Sequence, residues 1–186
     1  MGGRGCTVRK RLAVLLACII VVVAGVLGVP GGAQAIGPCS GIGPTVDGMR
    51  YGTCVGDLGG GSIVWSSDGS TVTMKAKARP TPQDAVSWWD SNGPLAAGTT
   101  LVCFDLTVSA LTLKKGATAM HLLSISYDNQ PRALDSWSVV EGAVSRCATI
   151  PAGATNIWAQ LLTVVTAGRS GSSVSLTETV AQLRVS

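Results

Sequence analysis

From Ser62 onward the apolar residues of this chain recur at every second position, and almost nowhere at every third or fourth. Thr100 to Ala110 shows the pattern best. Val102, Phe104, Leu106 and Val108 fall on one side, and Leu101, Cys103, Asp105, Thr107 and Ser109 on the other. A period of two belongs to the β-strand, whose successive side chains point to opposite faces. Related runs occupy Ser62–Trp65, Ser70–Ala78, Asp84–Trp89, Ala117–Tyr127, Trp137–Ile150, Asn156–Val165 and Ser173–Val185, with bends expected near Gly142 and Thr179. Turn chemistry separates them: Ser67-Asp68-Gly69, Ser91-Asn92-Gly93-Pro94, Lys114-Lys115-Gly116, Asp128-Asn129-Gln130-Pro131, Pro151-Ala152-Gly153 and Gly168 to Gly171. About eight strands at this spacing predict an all-β fold, a two-sheet antiparallel sandwich over residues 62–186.

Two segments precede that domain. Residues 1–35 run from a basic stretch (Arg4, Arg9, Lys10, Arg11) through the uncharged, largely apolar Leu12–Val29 to Pro30 and the small-residue tripeptide Ala33-Gln34-Ala35. This is the layout of a secretory signal peptide, cleaved after Ala35, and it implies a secreted, extracellular protein with no membrane attachment. An uncleaved anchor and lipidation at Cys18 are the alternatives. Residues 36–61 carry nine glycines and read as an irregular arm. Cys6 and Cys18 leave with the signal, so Cys39, Cys54, Cys103 and Cys147 remain, an even number in an exported chain. Of the three possible pairings we expect Cys39–Cys54, which ties down the arm, and Cys103–Cys147, which joins two strands.

Charge narrows the functional classes. Four of the fourteen Lys/Arg residues lie in the signal, which leaves ten against ten acidic residues in the mature chain. A balanced domain gives no basis for nucleic-acid binding. A single histidine, His121, excludes a multi-histidine metal site in one chain.

The order of motifs in the second half resembles that of bacterial jelly-roll carbohydrate-binding modules. Pro94-Leu95-Ala96-Ala97-Gly98-Thr99-Thr100 leads into a strand as their "kPGttYtfs" segment does. Ser136-Trp137-Ser138-Val139, followed by Ala148-Thr149-Ile150-Pro151-Ala152-Gly153-Ala154-Thr155, is similar to their "sWt.v…ftiPaga" segment. The resemblance covers residues 70–185 or so and implies a galactose-binding-domain-like jelly roll. It departs from the family at Leu101, where an aromatic is usual. It departs again at Leu176-Thr177-Glu178-Thr179-Val180, where one acid replaces the pair that helps hold a structural calcium. No cofactor or metal is therefore expected. Trp137 matches a structural position of the family.

His121 has serines around it but no G-x-S-x-G elbow and no recognisable acid partner, so it reads as structural rather than catalytic. The carboxylate pairs Asp84/Asp90 and Asp128/Asp135 sit in no glycosidase pattern and read as turn aspartates. Lys114-Lys115 reads as a solvated turn, with contact to an acidic polymer as its functional alternative. The tryptophans offer more. Trp88 and Trp89 are adjacent in a strand, so one must face away from the core. Trp158 lies opposite Ile157, Ala159 and Leu161, beside Gln160. An exposed indole stacks on a sugar's apolar face while an amide bonds its hydroxyls. The ligand-binding candidates are thus Trp158, Gln160, Trp88 and Trp89. The sequence reads as a secreted, non-catalytic module for an extracellular glycan or cell-envelope polymer. The alternative is a structural or protein-interaction sandwich, with a small hydrolase as the third reading. N-terminal sequencing of the exported protein is expected to give Ile36-Gly37-Pro38; recovery of the full-length chain in membranes alone would refute the cleavage.

Overall fold

A computed structural model describes residues 39–44, 48–54 and 58–186. The segment expected to be a signal peptide, with its expected cleavage after Ala35, lies outside these residues. Eleven strands form the fold: β1 (Cys39–Pro44), β2 (Arg50–Cys54), β3 (Ser62–Trp65), β4 (Thr71–Lys77), β5 (Gln83–Asp90), β6 (Leu101–Lys114), β7 (Thr118–Tyr127), β8 (Gln130–Ser138), β9 (Gly142–Thr149), β10 (Trp158–Ala167) and β11 (Ser173–Val185). They make a six-stranded sheet, β1-β2-β5-β10-β7-β8, and a five-stranded sheet, β3-β4-β11-β6-β9, with every ladder antiparallel. Counted from β4, the eight strands β4–β11 fall in the orders first-eighth-third-sixth and second-seventh-fourth-fifth. That is jelly-roll connectivity, two interleaved Greek keys.

Two differences from the sequence reading have simple causes. The stretch expected to be an irregular arm contains β1 and β2, which extend the six-stranded sheet beyond β5. Its glycines hide the alternation because they carry no side chain to mark a face. The single run expected over Trp137–Ile150 is two strands, β8 and β9, which belong to different sheets. A tight hairpin at Asp128-Asn129, both residues at positive φ (54° and 61°), starts β8 earlier than the proline at 131 suggests.

The core fills the space between the sheets. Ala85, Trp89, Ala159, Leu161, Val165, Leu123 and Ile125 come from the six-stranded side; Val72, Met74, Phe104, Leu106, Val108 and Leu176 come from the other. Register shifts at Ser109 in β6 and Ala181 in β11 let both long strands keep their apolar residues inward as the sheet twists. Cys103 and Cys147 stand directly opposite each other in the β6–β9 ladder and are disulfide-bonded. Cys54 is also disulfide-bonded, and Cys39 is its register partner in β1–β2, although the Cys39 side chain lies outside those described.

At one end of the core three rings stack in sequence. Tyr51 and Trp65 lie 4.7 Å apart between centroids, and Trp65 meets Trp89 edge-on at 5.2 Å. Trp89 Nε1 donates to the Gly69 carbonyl at 3.1 Å. Gly69 has φ of 69°, and a Cβ built there would fall 2.1 Å from Tyr51 Cε1. Gly69→Ala thus meets a backbone penalty and a steric one together, and is expected to lower unfolding free energy by about 2–4 kcal/mol in a denaturant titration.

Candidate functional site

The strand β10 is buried on both faces. Ala159, Leu161, Thr163 and Val165 point between the sheets, while Gln160 and Leu162 are buried on the outer side. The same holds for β5, where Ala85, Ser87 and Trp89 point inward and Asp84, Val86, Trp88 and Asp90 outward. Cross-strand partners share a face. The outer face can therefore be assembled row by row across β2, β5, β10 and β7. One row is Arg50–Asp90–Gln160–Ser124, the next Gly52–Trp88–Leu162–Leu122, and the next Cys54–Val86–Val164–Met120. Trp158, opposite Ser126, stands one row beyond the first.

Three of the four candidate ligand residues, Trp88, Gln160 and Trp158, thus share this face. Trp89 does not. It is fully buried in the core against Trp65, which removes it from any surface site. The Trp88 indole lies across β2: a Cβ at Gly52 would sit 2.3 Å from its Cζ2, and one at Gly41 would touch Cη2 at 3.8 Å. Glycines in the arm are therefore the floor that the indole needs. Trp158 is half-buried, and its Nε1 donates to Asn156 Oδ1 at 3.1 Å.

The polar atoms on this face divide into two groups. Asp90 is satisfied. It takes a two-pronged bond from Arg50, Nε to Oδ1 at 3.1 Å and Nη2 to Oδ2 at 2.8 Å, and a further bond from the Asn92 amide at 2.8 Å. That hydrogen bond to Asp90 raises the Arg50 pKa above its ordinary value. By contrast Trp88 Nε1, Gln160 Oε1 and Ser124 Oγ are buried with no hydrogen-bond partner. Each such atom costs about 1–3 kcal/mol unless something fills it. All three lie in two adjacent ladder rows. Arg50, Ser124 and Leu162 escaped the sequence reading because only the register of four strands brings them beside Gln160.

The other candidates fall elsewhere. Asp84 and Asp90 are six residues apart on one face of one strand, about 20 Å, beyond the reach of paired-carboxylate chemistry. Asp84 accepts the amides of Leu58 and Gly59. Asp128 accepts the amide and hydroxyl of Thr155 in its turn, and Asp135 is exposed five residues away along the hairpin. A shallow depression of about 250 Å³ on the outer face of the five-stranded sheet is lined by Leu101, Cys103, Arg184, Val185 and Ser186. Its one charged group, Arg184, is held by Asp105, and that bond keeps the Asp105 carboxyl well below the usual carboxylate range.

His121 has an acid partner that the sequence did not disclose. Its Nε2 lies 2.8 Å from Glu178 Oε2 of the facing sheet, and both side chains are fully buried. Arg146 Nε donates to His121 Nδ1 at 3.1 Å while its guanidinium stacks 5.1 Å over Trp137. Because the arginine can only donate, Nδ1 must accept, so the proton sits on Nε2 and points at Glu178. Both ring nitrogens are committed and neither meets solvent, which is a structural role. Partial burial pulls the Arg146 pKa down, and the Glu178 charge opposes this. Glu178 is also the surviving acid of the calcium-associated stretch. Turned inward onto His121, it does not fit a surface cation, and among the described residues no three His, Cys, Asp or Glu side chains converge.

No protein family and no curated protein sequence matches this chain. Among solved structures it is similar to TmCBM61 in complex with β-1,4-galactotriose, at 12% identity and a TM-score of 0.33, over 74% of this chain and 90% of that one. It is similar to the CBM22-1–GH10 modules of Clostridium thermocellum endo-1,4-β-D-xylanase 10B complexed with xylohexaose, at 14% identity and a TM-score of 0.33, over 81% of this chain and 29% of that one. It is also similar to accessory secretory protein 1, 2 and 3 of Streptococcus pneumoniae, at 10% identity and a TM-score of 0.34, over 68% of this chain and 89% of that one. Such distant likenesses carry no argument about function, and the architecture rests on the strand order itself.

The histidine assignment has a direct test. Glu178→Ala leaves a buried imidazole N–H unpaired and is expected to cost about 3–5 kcal/mol of stability by chemical denaturation. A melting curve unchanged from the parent's would show that the inter-sheet bond contributes nothing.

Proposed function

We propose that this protein is an exported, non-catalytic module that binds an extracellular glycan or cell-envelope polymer on the outer face of its six-stranded sheet, between Trp88 and Trp158. The observation that carries the reading is the trio of unpartnered polar atoms there: an indole N–H donor, an amide carbonyl acceptor and a hydroxyl that is both. A polyhydroxylated ligand offers donors and acceptors at close spacing and satisfies these atoms once the Trp88 and Gln160 side chains turn outward to meet it. The half-buried Trp158 indole supplies apolar surface for the hydrophobic face of a sugar ring. Arg50, already held by Asp90, keeps its guanidinium half-exposed at the rim and has donors left for a hydroxyl.

Trp158 and Gln160 are the residues to substitute. Trp88 is less informative, because its indole also packs on Gly52, and its loss would cost folding stability as well. With a ligand identified on a glycan array, Trp158→Ala is expected to weaken binding roughly 5- to 150-fold by calorimetry with a near-normal melting temperature. Gln160→Ala is expected to weaken it roughly 2- to 12-fold. Failure of the folded protein to bind any glycan would overturn the proposal in favour of a protein-interaction role for the same face.

A further inference from the structure

The mature chain is electrically balanced, but its cations are not evenly spread. Lys75 and Lys77 point outward from the end of β4, and Arg79 follows in the next loop. Lys114 ends β6, Lys115 follows in its turn, and Arg169 lies in the loop between β10 and β11. The register places Lys77, Ser173 and Lys114 in one row across β4, β11 and β6, with Lys75, Ser175 and Thr112 in the next. The loops close the group. Arg169 Nε bonds the Lys115 carbonyl, a Cβ at Gly116 would lie 3.2 Å from Arg169 Nη2, and one at Gly171 would lie 3.2 Å from Lys115 Nζ. Six exposed cations therefore gather at one end of the five-stranded sheet: all four lysines and two of the six arginines that follow residue 36.

Among the described side chains none of the six forms an ion pair. The three ion pairs there are Arg50–Asp90, His121–Glu178 and Arg184–Asp105. Other described carboxylates are occupied elsewhere. Glu141 accepts the Leu111 amide at 2.8 Å, Asp84 accepts two amides on the other sheet, and Glu178 is buried on His121. Like charges held this close repel one another, and a polyanion laid over them removes that cost.

We infer that this basic end, Lys75, Lys77, Arg79, Lys114, Lys115 and Arg169, is a second binding surface whose partner is an anionic polysaccharide carrying carboxylates along its chain. Four of the six groups are lysines, point charges without the fork that fixes a single planar anion, which suits charge distributed along a polymer. Their spacing is about 7 Å along β4 and about 10 Å across the two ladders, comparable to the repeat of such chains. Serine and threonine hydroxyls stand between them in both rows, ready for sugar hydroxyls. Among the described residues no aromatic side chain stands in this cluster to stack on a nucleic-acid base. The surface belongs to the opposite sheet from the Trp88–Trp158 face and does not depend on it.

The experiment uses the exported protein with polygalacturonate as probe. Uncharged dextran, phosphatidylglycerol vesicles and duplex DNA are run in parallel. Binding to polygalacturonate is expected, falling at least tenfold between 50 and 200 mM salt. A variant with Lys75, Lys77, Lys114 and Lys115 all changed to Gln is expected to lose at least tenfold with an unchanged melting temperature, and the four-fold Lys→Arg variant to retain binding. Absence of binding, equal binding by the Gln variant, or tighter binding to the vesicles or to DNA would overturn the proposal. A Gln160→Ala variant that loses a neutral glycan but keeps polygalacturonate would show that the two surfaces are separate.

Discussion

The burial of β5 and β10 on both faces governs the rest of this fold. A sandwich strand normally alternates between core and solvent. Here the inner residues Trp89, Leu161 and Val165 seal the core, while Trp88, Leu162 and Gln160 are withdrawn from water on the other side. A face of that kind needs flanking strands to carry its bulk. β2 does so with Gly52, which lets the Trp88 indole lie flat where any side chain would collide with it. Gly52 is thus required by the tryptophan on the neighbouring strand, and the unpartnered polar atoms stand where Trp88, Gln160 and Ser124 are buried on this outer face.

The inter-sheet bond between His121 and Glu178 poses a different problem for the same core. Ionic and polar groups withdrawn from water are costly unless every partner is in place. Arg146 supplies one partner from the edge strand β9, and it reaches His121 because Trp137 holds the flat of its guanidinium. The chain Trp137–Arg146–His121–Glu178 therefore crosses from β8 to β11 and ties both sheets at a point where the core is not purely apolar. Loss of Arg146 or Glu178 leaves a nitrogen of His121 with an unmet hydrogen bond, and loss of Trp137 removes the ring that holds Arg146 in place.

How much of this was legible in sequence depended on whether the information was local. Alternation within one strand is local, and it correctly set Trp158 and Gln160 apart from Ala159 and Leu161. Adjacency is also local, and it required Trp88 and Trp89 to face opposite ways without saying which faced the core. That choice is made by Tyr51 and Trp65, which come from β2 and β3 and complete a ring cluster only around Trp89. Glu178 shows the limit most clearly. The family resemblance made it the one acid left of a cation-holding pair. Alternation with Val174, Leu176 and Val180 turns it inward, and the approach of β7 from the other sheet makes it the buried partner of the only histidine. The strands of the arm were hidden for the opposite reason, because glycine leaves no periodicity to read.

Net charge behaves in the same way. From residue 36 on, ten cations against ten anions describe a neutral domain only when positions are ignored. Six of the ten anions are spent locally: Asp68 on its own turn, Asp128 on Thr155, Asp84 on the amides of Leu58 and Gly59, Asp90 and Asp105 on arginines, and Glu178 on His121. Each is engaged by the fold where it stands. The lysine ammonium groups, by contrast, make no ion pair among the described side chains, and the β4–β11–β6 ladder brings them to one end without any sequence run longer than two. Balanced composition therefore coexists with strong polarity of the surface. Composition alone left contact between Lys114-Lys115 and an acidic polymer as an alternative to a solvated turn, and the ladder register gathers the spaced positive charge that such a contact uses.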